Sequence, residues 1–368
     1  MDNRVLRAGV AFAASVVAAP ALADAPGTAG LLTRWTFDPL AIVVAFAIGW
    51  AYLRGLNRKY QRGIPYADWR PMAFFGGLGA MLLVTISPLN WVAQHMYWVA
   101  HVKIMALRVV GPMFIFLSEP QHEVYMGMPK RLRREGIAPL LRNVRLAAVA
   151  NWVTQPLVIT PLFIAIFYLW QVPPLQDAAV NSGIVGYLMT LSLTITGIMF
   201  FSVVFDRRDA PEGPRHGVRV VMLIVTALSS IMMGATFTLK PMVIFTAYGL
   251  GLHMFDMTAL DDEAAGGYLN WALVSMILLV CIMFVITNWN RAEVRRWTKL
   301  RSFDGSNSAA LAVPETAEEL WLLVGPMNRR LGWSLAIIPV VMMGMAIGMV
   351  MTVHYVPWGC VLHTGVCR

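Results

Sequence analysis

Eight apolar stretches, each close to the length of a membrane-spanning helix, constrain this chain more than any other feature of its sequence. The stretches are residues 38–53, 71–92, 98–118, 147–170, 183–205, 218–239, 267–288 and 331–352. A helix needs about 20 largely apolar residues to cross a bilayer. Only 13% of the 368 residues are charged, against about 25% in soluble domains, which excludes a soluble globular fold. The sequence predicts an all-α, polytopic transmembrane helix bundle of about eight spans.

The N-terminus has the pattern of a cleaved secretory signal peptide, residues 1–23. Arg4 and Arg7 precede an apolar run over residues 8–19, and the triplet at 21–23 (Ala-Leu-Ala) is typical of a cleavage site. An uncleaved anchor is the alternative, but the run is too short to span a bilayer.

The distribution of basic residues predicts the orientation. Most of the 29 Lys and Arg residues lie in predicted inner loops, and the outer segments hold only Arg34, Lys240 and Arg368. Lys and Arg concentrate on the cytoplasmic side of membrane proteins. We therefore expect a bacterial inner-membrane protein with periplasmic mature N- and C-termini. The net charge of +9 is then assigned to topology and to contact with anionic lipid, not to nucleic acid.

Four parts are predicted along the chain. The signal peptide is followed by a seven-span membrane domain over 24–300 and a cytoplasmic linker over 301–330. The eighth span and a periplasmic tail rich in Cys and His occupy 331–368. Within the linker, Thr316 and Glu319 form a capping box ahead of a short amphipathic helix. Prolines within the spans are expected to kink them, and these are Pro88, Pro112, Pro156, Pro161 and Pro339.

Histidines and sulfur-containing residues gather at the predicted outer face. The candidate metal ligands are His95, His101, Met105, His253, Met254, Met257, Cys360, His363 and Cys367. Imidazole mixed with thioether and thiolate ligands suits copper, above all Cu(I). The alternative is interfacial packing, because the chain has 24 Met residues and any one of them is more often a packing residue. Cys360 and Cys367 also have the alternative of a disulfide, which an oxidising compartment favours.

The third span carries an unusual charge. Arg108 lies about 15 Å along the helix from Trp98 at 1.5 Å per residue, near the bilayer midplane, whereas Lys103 is shallow enough to extend outwards. A charge at that depth is costly unless it is paired. The partner could be a kinked backbone carbonyl, a lipid phosphate, a cofactor carboxylate such as a haem propionate, or another chain.

An acidic segment is predicted as the loop between the sixth and seventh spans. It contains Asp262 and Glu263, followed by Gly266, Gly267 and Trp271. The carboxylates could attract cations or a basic partner; a solvated loop is the alternative, in which the glycines let the next helix begin tightly.

This segment resembles the D-Q-x-x-G-G-x-x-M-W signature of CtaG-type cytochrome c oxidase assembly proteins. Other segments are similar in the same order over roughly 35–300. Gly111 and Pro112 resemble the family's A-P-P, residues 169–173 (Leu-Trp-Gln-Val-Pro) its W-H-x-P, and residues 196–201 its T-G-L-L-F-W. Family members are multi-span proteins implicated in maturing the copper centres of haem–copper oxidases, so the resemblance implies copper handling at the outer face.

The chain departs from the family pattern at its histidines. Gln171 stands where the pattern has His, Thr190 stands at a fifth-span His, and a paired His of the third span is reduced to His101, with Lys103 and Met105 nearby. The resemblance therefore implies either a different metal site or a scaffold kept for another task.

Two functions remain open. The first is a non-enzymatic accessory for copper delivery to, or assembly of, a terminal haem–copper oxidase, with oxidase or other respiratory-complex subunits as partners. The alternative is a structural integral subunit of a membrane oxidoreductase complex. A transporter is less favoured because midplane carboxylates and repeats are missing. No nucleophile–base pair or phosphate-binding loop indicates catalysis.

Overall fold

The computed structural model describes residues 34–64, 67–206, 208, 213–250 and 257–302, and the single positions 329, 333 and 337. In these residues the secondary structure is helical, without strands. The α-helices are α1 Pro39–Gln61, α2 Trp69–Ile86, α3 Pro88–Val92, α4 Tyr97–Leu117, α5 Gln121–Gly127, α6 Ala138–Arg142, α7 Val144–Val153, α8 Pro156–Trp170, α9 Pro173–Asn181, α10 Gly183–Val204, α11 His216–Leu239 and α12, which joins Ala259–Tyr268, Leu269–Leu273 and Val274–Ser302. A π-helical turn, Leu132–Ile137, precedes α6, and a 3-10 turn, Thr246–Leu250, lies between α11 and α12.

The prediction of an all-α polytopic bundle is confirmed. Six of these helices are long and apolar enough to cross a membrane, and the count is seven if α7 and α8, which meet at 68°, form one broken span. They coincide with the first seven predicted stretches. Most of the eighth stretch lies outside the described residues, as do the signal peptide, the amphipathic helix of the linker and the Cys/His tail.

Three of the five prolines expected to kink the spans, Pro88, Pro112 and Pro156, lie at breaks or irregular turns, whereas α8 continues through Pro161 and Pro339 lies outside the described residues. α2 ends before Pro88, and the bend between α7 and α8 falls just before Pro156, because a proline disfavours helical backbone in the residue before it. In α4 the turn Ala106–Val110 is π-helical and directly precedes Gly111 and Pro112. Proline has no N–H to donate to the preceding turn, and the helix widens there without ending.

Helix α4 is the centre of the bundle. In its most apolar window 61% of the residues are buried inside the molecule, against 22–33% in the other five long helices. Neighbouring helices approach it through glycines. A Cβ atom on Gly77 of α2 would lie 2.7 Å from the Gly111 carbonyl oxygen, and one on Gly197 of α10 would overlap the carbonyl oxygen of Arg108. These contacts hold α4 between α2 and α10 at a separation that a larger side chain would not allow.

The two ends of the bundle are fixed by different contacts. At the end where α4 begins, which we call the Tyr97 end, the C-termini of α8 and α11 meet the N-termini of α10 and α12. At the opposite end the short helix α5 packs against α1, and Lys59 donates to the buried carboxylate of Glu123 at 2.6 Å. Of the candidate ligands that the structure describes, His95, His101 and Met257 lie at the Tyr97 end and Met105 lies just below it.

The prediction of an acidic loop before the seventh span is wrong. Asp262, Glu263, Gly266 and Gly267 are helical residues of α12, which begins at Ala259, eight residues before the predicted span. The Thr258 side chain accepts a hydrogen bond from the Asp261 N–H and starts the helix. Apolar length alone misses the start of this helix because Asp262 and Glu263 are polar residues, although both are buried within the protein.

Candidate functional site

Asp262 caps the central helix from a neighbouring one. Its carboxylate accepts hydrogen bonds from the backbone N–H groups of Tyr97 at 2.8 Å and Trp98 at 3.0 Å. The first N–H groups of a helix have no partner within the helix, and a negative charge there is favourable. Since Asp262 is 7% exposed, it acts as an internal connection between α12 and α4 and does not offer its charge to solvent.

Glu263 organises the segment after α11. Its carboxylate forms an ion pair with Lys240, whose side chain is fully buried, and accepts from the N–H groups of Ile244 at 3.0 Å and Phe245 at 2.8 Å. Burial lowers the pKa of Lys240 from its ordinary value, while the Glu263 carboxylate opposes that shift. The observed contacts of the Glu263 side chain all lie within the protein. Its carboxylate therefore does not form a surface that would attract cations.

The two glycines of the motif permit close helix packing. A Cβ atom on Gly266 would collide with the Tyr97 ring, and one on Gly267 would lie 2.6 Å from the Gly234 carbonyl oxygen of α11. Trp271 packs against Gly234 in the π-helical turn Leu269–Leu273. The segment that resembles the family signature, Asp262 to Trp271, therefore holds α4, α11 and α12 together: its acidic pair forms hydrogen bonds and its glycines allow close packing.

A buried hydrogen-bonded cluster lies directly beneath this cap. The Tyr97 hydroxyl donates to Gln171 Oε1 at 2.9 Å, and Gln171 Nε2 lies 3.3 Å from His101 Nε2. His101 Nδ1 lies 3.2 Å from the Tyr97 carbonyl oxygen. The tautomer that satisfies both contacts has Nδ1 donating and Nε2 accepting from the Gln171 amide. His101 is thus joined to the fourth-span position at which the sequence departs from the family pattern.

A small cavity continues below His101 between α4 and α12. It is lined by His101, Ile104, Met105, Arg108, Val109, Leu269, Asn270 and Val274. Two of the three π-helical turns in the described residues contribute to it, one with Arg108 and Val109, the other with Leu269 and Asn270. Such turns occur often at functional sites because they reorient side chains within a helix. The cavity brings two of the predicted ligands, His101 and Met105, to one place.

Arg108, which lines this cavity, is buried and is 2% exposed. It donates from Nη2 to the Phe163 carbonyl oxygen at 3.1 Å, and its guanidinium lies 3.8 Å from the ring centre of Phe163 and 4.4 Å from that of Phe167. Among the described residues no carboxylate pairs with it. Lys103 has a shallower position and donates to Asn90 Oδ1 at 2.6 Å.

The remaining candidate ligands are only partly described. His95 is half-buried, with Nδ1 2.9 Å from the Trp91 carbonyl oxygen and its ring 4.3 Å from the Trp91 ring. Met257 packs against the apolar cluster around Tyr97 and Tyr248. Five candidates lie outside the described residues: His253, Met254, Cys360, His363 and Cys367. Within the described part of the chain, no three His, Cys, Asp or Glu side chains are grouped closely enough to hold a metal ion.

Several residues that complete the site are not predicted as site residues from the sequence. Asn270 donates to the Ser230 carbonyl oxygen at 3.2 Å, Gln176 donates to the Tyr248 hydroxyl at 2.8 Å, and Phe163 supports Arg108. Burial raises the pKa of the Tyr248 phenol, which keeps it neutral. Only Gln171 carried a signal, as a departure from the family pattern, because the partners of the others are distant in sequence.

Comparison with known proteins adds a family and several relatives. Residues 50–292 match the model of the cytochrome c oxidase caa3 assembly factor family. The uncharacterized proteins Mb0105 of Mycobacterium bovis and MT0111 of Mycobacterium tuberculosis are each 24% identical over 279 residues, which is 74% of this chain and 42% of theirs. ML1998 of Mycobacterium leprae, also uncharacterized, is 19% identical over 277 residues, with the same coverage of both chains. The chain therefore spans less than half the length of these curated relatives. No solved structure matches it.

Proposed function

The chain belongs to the cytochrome c oxidase caa3 assembly factor family, and from that premise we propose that it is an integral membrane accessory that delivers copper to a terminal haem–copper oxidase. Copper is the cargo in this proposal, and subunits of the oxidase are the partners. The bilayer surrounds the apolar helices, and the Tyr97 end is the periplasmic end. The role is that of a binding and transfer protein without a catalytic step.

The juxtaposition of His101 and Gln171 carries this proposal. The two side chains lie 3.3 Å apart on α4 and α8, and position 171 is the one at which the family resemblance has His. A histidine there would place two imidazoles side by side at the Tyr97 end. We therefore infer that copper binds at the same place as in the family, with the amide of Gln171 in place of one histidine ligand.

The residues present suit a weakly held Cu(I) cargo better than a permanent centre. His101 supplies one imidazole, and Met105, which lines the same cavity, supplies a thioether; both ligand types suit Cu(I). Met257 packs at the same end and follows His253 and Met254 in the sequence. A site with few strong ligands releases its metal readily, which a delivery protein requires.

Copper loading of the purified full-length chain tests this proposal. In detergent and under reducing conditions, we expect roughly one Cu(I) per chain, held against a weak competing chelator by soft ligands. The double variant His101→Ala, His253→Ala should lose it. The matched control is His122→Ala, His216→Ala, which removes two histidines from the predicted inner side. Equal copper in the wild type and the first double variant would refute the ligand assignment.

A structural subunit of an oxidoreductase complex is the second candidate function. The observations that favour it are the replaced histidines and the buried Arg108, which has no carboxylate partner among the described residues. Affinity purification from native membranes separates the two. A stoichiometric set of partner chains that stays bound, with no Cu(I) binding, would support the subunit; a minor, copper-dependent association with the oxidase would support the accessory.

A further inference from the structure

The cavity between the two π-helical turns has the features of an anion site. It is bounded by α4 at Arg108 and Val109 and by α12 at Leu269 and Asn270. We infer that it binds a single monatomic anion, chloride in the cell, between the guanidinium of Arg108 and the side-chain amide of Asn270. Because the proposed Cu(I) ligands His101 and Met105 line the same cavity, the chloride inference concerns the copper-free protein and is tested without copper.

Two residues that line the cavity carry hydrogen-bond donors without acceptors. Arg108 Nε is buried and has no hydrogen-bond partner, while Nη2 is used by the Phe163 carbonyl. Asn270 is 5% exposed and spends one amide hydrogen on the Ser230 carbonyl oxygen. A primary amide carries two hydrogens, so one remains. A buried N–H without an acceptor is costly, and an anion in the cavity would accept from both residues.

The charge balance points to an anion and not to a neutral ligand. Arg108 is surrounded by one carbonyl and two aromatic rings, which stabilise a cation but carry no net negative charge. The other walls are mainly apolar, with Ile104, Val109 and Val274. In such surroundings an unpaired charge is strongly destabilising and a counter-charge correspondingly effective.

The size of the cavity restricts the anion. Its volume is about 10 Å³, which is about the space of one water-sized sphere. A lipid phosphate, a haem propionate or a carboxylate side chain from another protein has several heavy atoms and needs more than one such position. A halide is the anion whose size comes nearest to it, so we select chloride from the anions available to a cell.

Chloride NMR line width measures the binding directly. The full-length protein is prepared in an uncharged detergent with gluconate as the only other anion, and chloride is titrated in. We expect line broadening beyond that of protein-free micelles. Bromide should reverse it by competition, and acetate should not. Absence of excess broadening, or displacement by acetate as effective as by bromide, would overturn the inference.

Variants assign the broadening to this cavity. Arg108→Gln should weaken chloride binding by roughly tenfold or more, because it removes a charge-assisted hydrogen bond. Asn270→Ala should weaken it to a lesser degree. Arg70→Gln is the matched control, since Arg70 pairs with Glu119 away from the cavity, and it should bind as the wild type does. Equal broadening in wild type and folded Arg108→Gln would refute the site. If Arg108→Gln does not fold, the wild-type competition experiment decides: reversal of the broadening by bromide but not by acetate supports the inference, and equal reversal by both overturns it.

Discussion

In the proposed function, the side chains of Gln171 and His101 at the Tyr97 end set how tightly copper is held. Gln171 accepts from Tyr97 and meets His101, so an amide here satisfies the same buried neighbours that a second imidazole would meet. The sequence predicted His101 as a ligand and recognised Gln171 as a departure from the family pattern. It could not predict that the two touch, because they are 70 residues apart and no periodicity links two different helices.

Restoring the missing imidazole should strengthen copper binding. Gln171→His places a second neutral nitrogen beside His101, and we expect Cu(I) affinity to rise by roughly tenfold or more, because imidazole is a far better copper ligand than an amide. Competition with a Cu(I) chelator measures the change. Gln155→His is the matched control, because Gln155 is exposed just before the N-terminus of α8. An unchanged affinity in Gln171→His would separate position 171 from copper.

Asp262 is the residue whose role the sequence placed least accurately. The sequence predicts it in a loop, either attracting cations or a basic partner or simply solvated, yet it caps α4 from 165 residues away. Asp262→Ala leaves two buried N–H groups of α4 without acceptors, and the loss should be about 2 kcal/mol of stability. Thermal unfolding in detergent measures it. The neighbouring exposed residue provides the control: Asp261→Asn should unfold close to the wild-type temperature, and an equal loss in both would contradict the cap.

At the scale of elements, helix identity followed from the sequence while helix ends and packing did not. Seven apolar stretches predicted the long helices because hydropathy depends on local composition alone. The early start of α12 and the π-helical turns depend on tertiary contacts, such as the capping of α4 by Asp262. The close approach of α10 to α4 likewise depends on one glycine, Gly197. In the sequence this glycine stands out only as part of the segment that resembles the family's T-G-L-L-F-W.

Helix spacing around α4 gives a prediction at this scale. Gly197→Ala adds a Cβ that overlaps the Arg108 backbone oxygen, so α10 must move away from α4. Overpacking of this kind costs about 1–3 kcal/mol, and the thermal unfolding temperature should fall. Gly76→Ala is the control, because a Cβ there meets nothing within 4 Å and alanine favours helix over glycine. A Gly197→Ala protein as stable as wild type would show that α10 and α4 are not in close contact.

At the scale of the whole molecule, α4 is the axis around which the other features are arranged. It carries His101, Met105 and Arg108 on the side that faces the cavity, and it is far more buried than the other long helices. The outer helices expose large apolar side chains, such as Phe46 of α1 and Met276 of α12, to the surroundings of the bundle. This arrangement suits a membrane protein that holds its cargo within the bundle and contacts its client at the Tyr97 end.

The copper content of the oxidase in cells that lack this chain tests the central claim most directly. The terminal oxidase is purified from deletion cells and from the same cells expressing the wild type or the double variant His101→Ala, His253→Ala. Copper per haem is then measured. We predict oxidase that retains haem but is depleted in copper in the deletion and double-variant cells, with full copper restored by the wild type. Oxidase with its full copper content in cells without the chain would contradict the account.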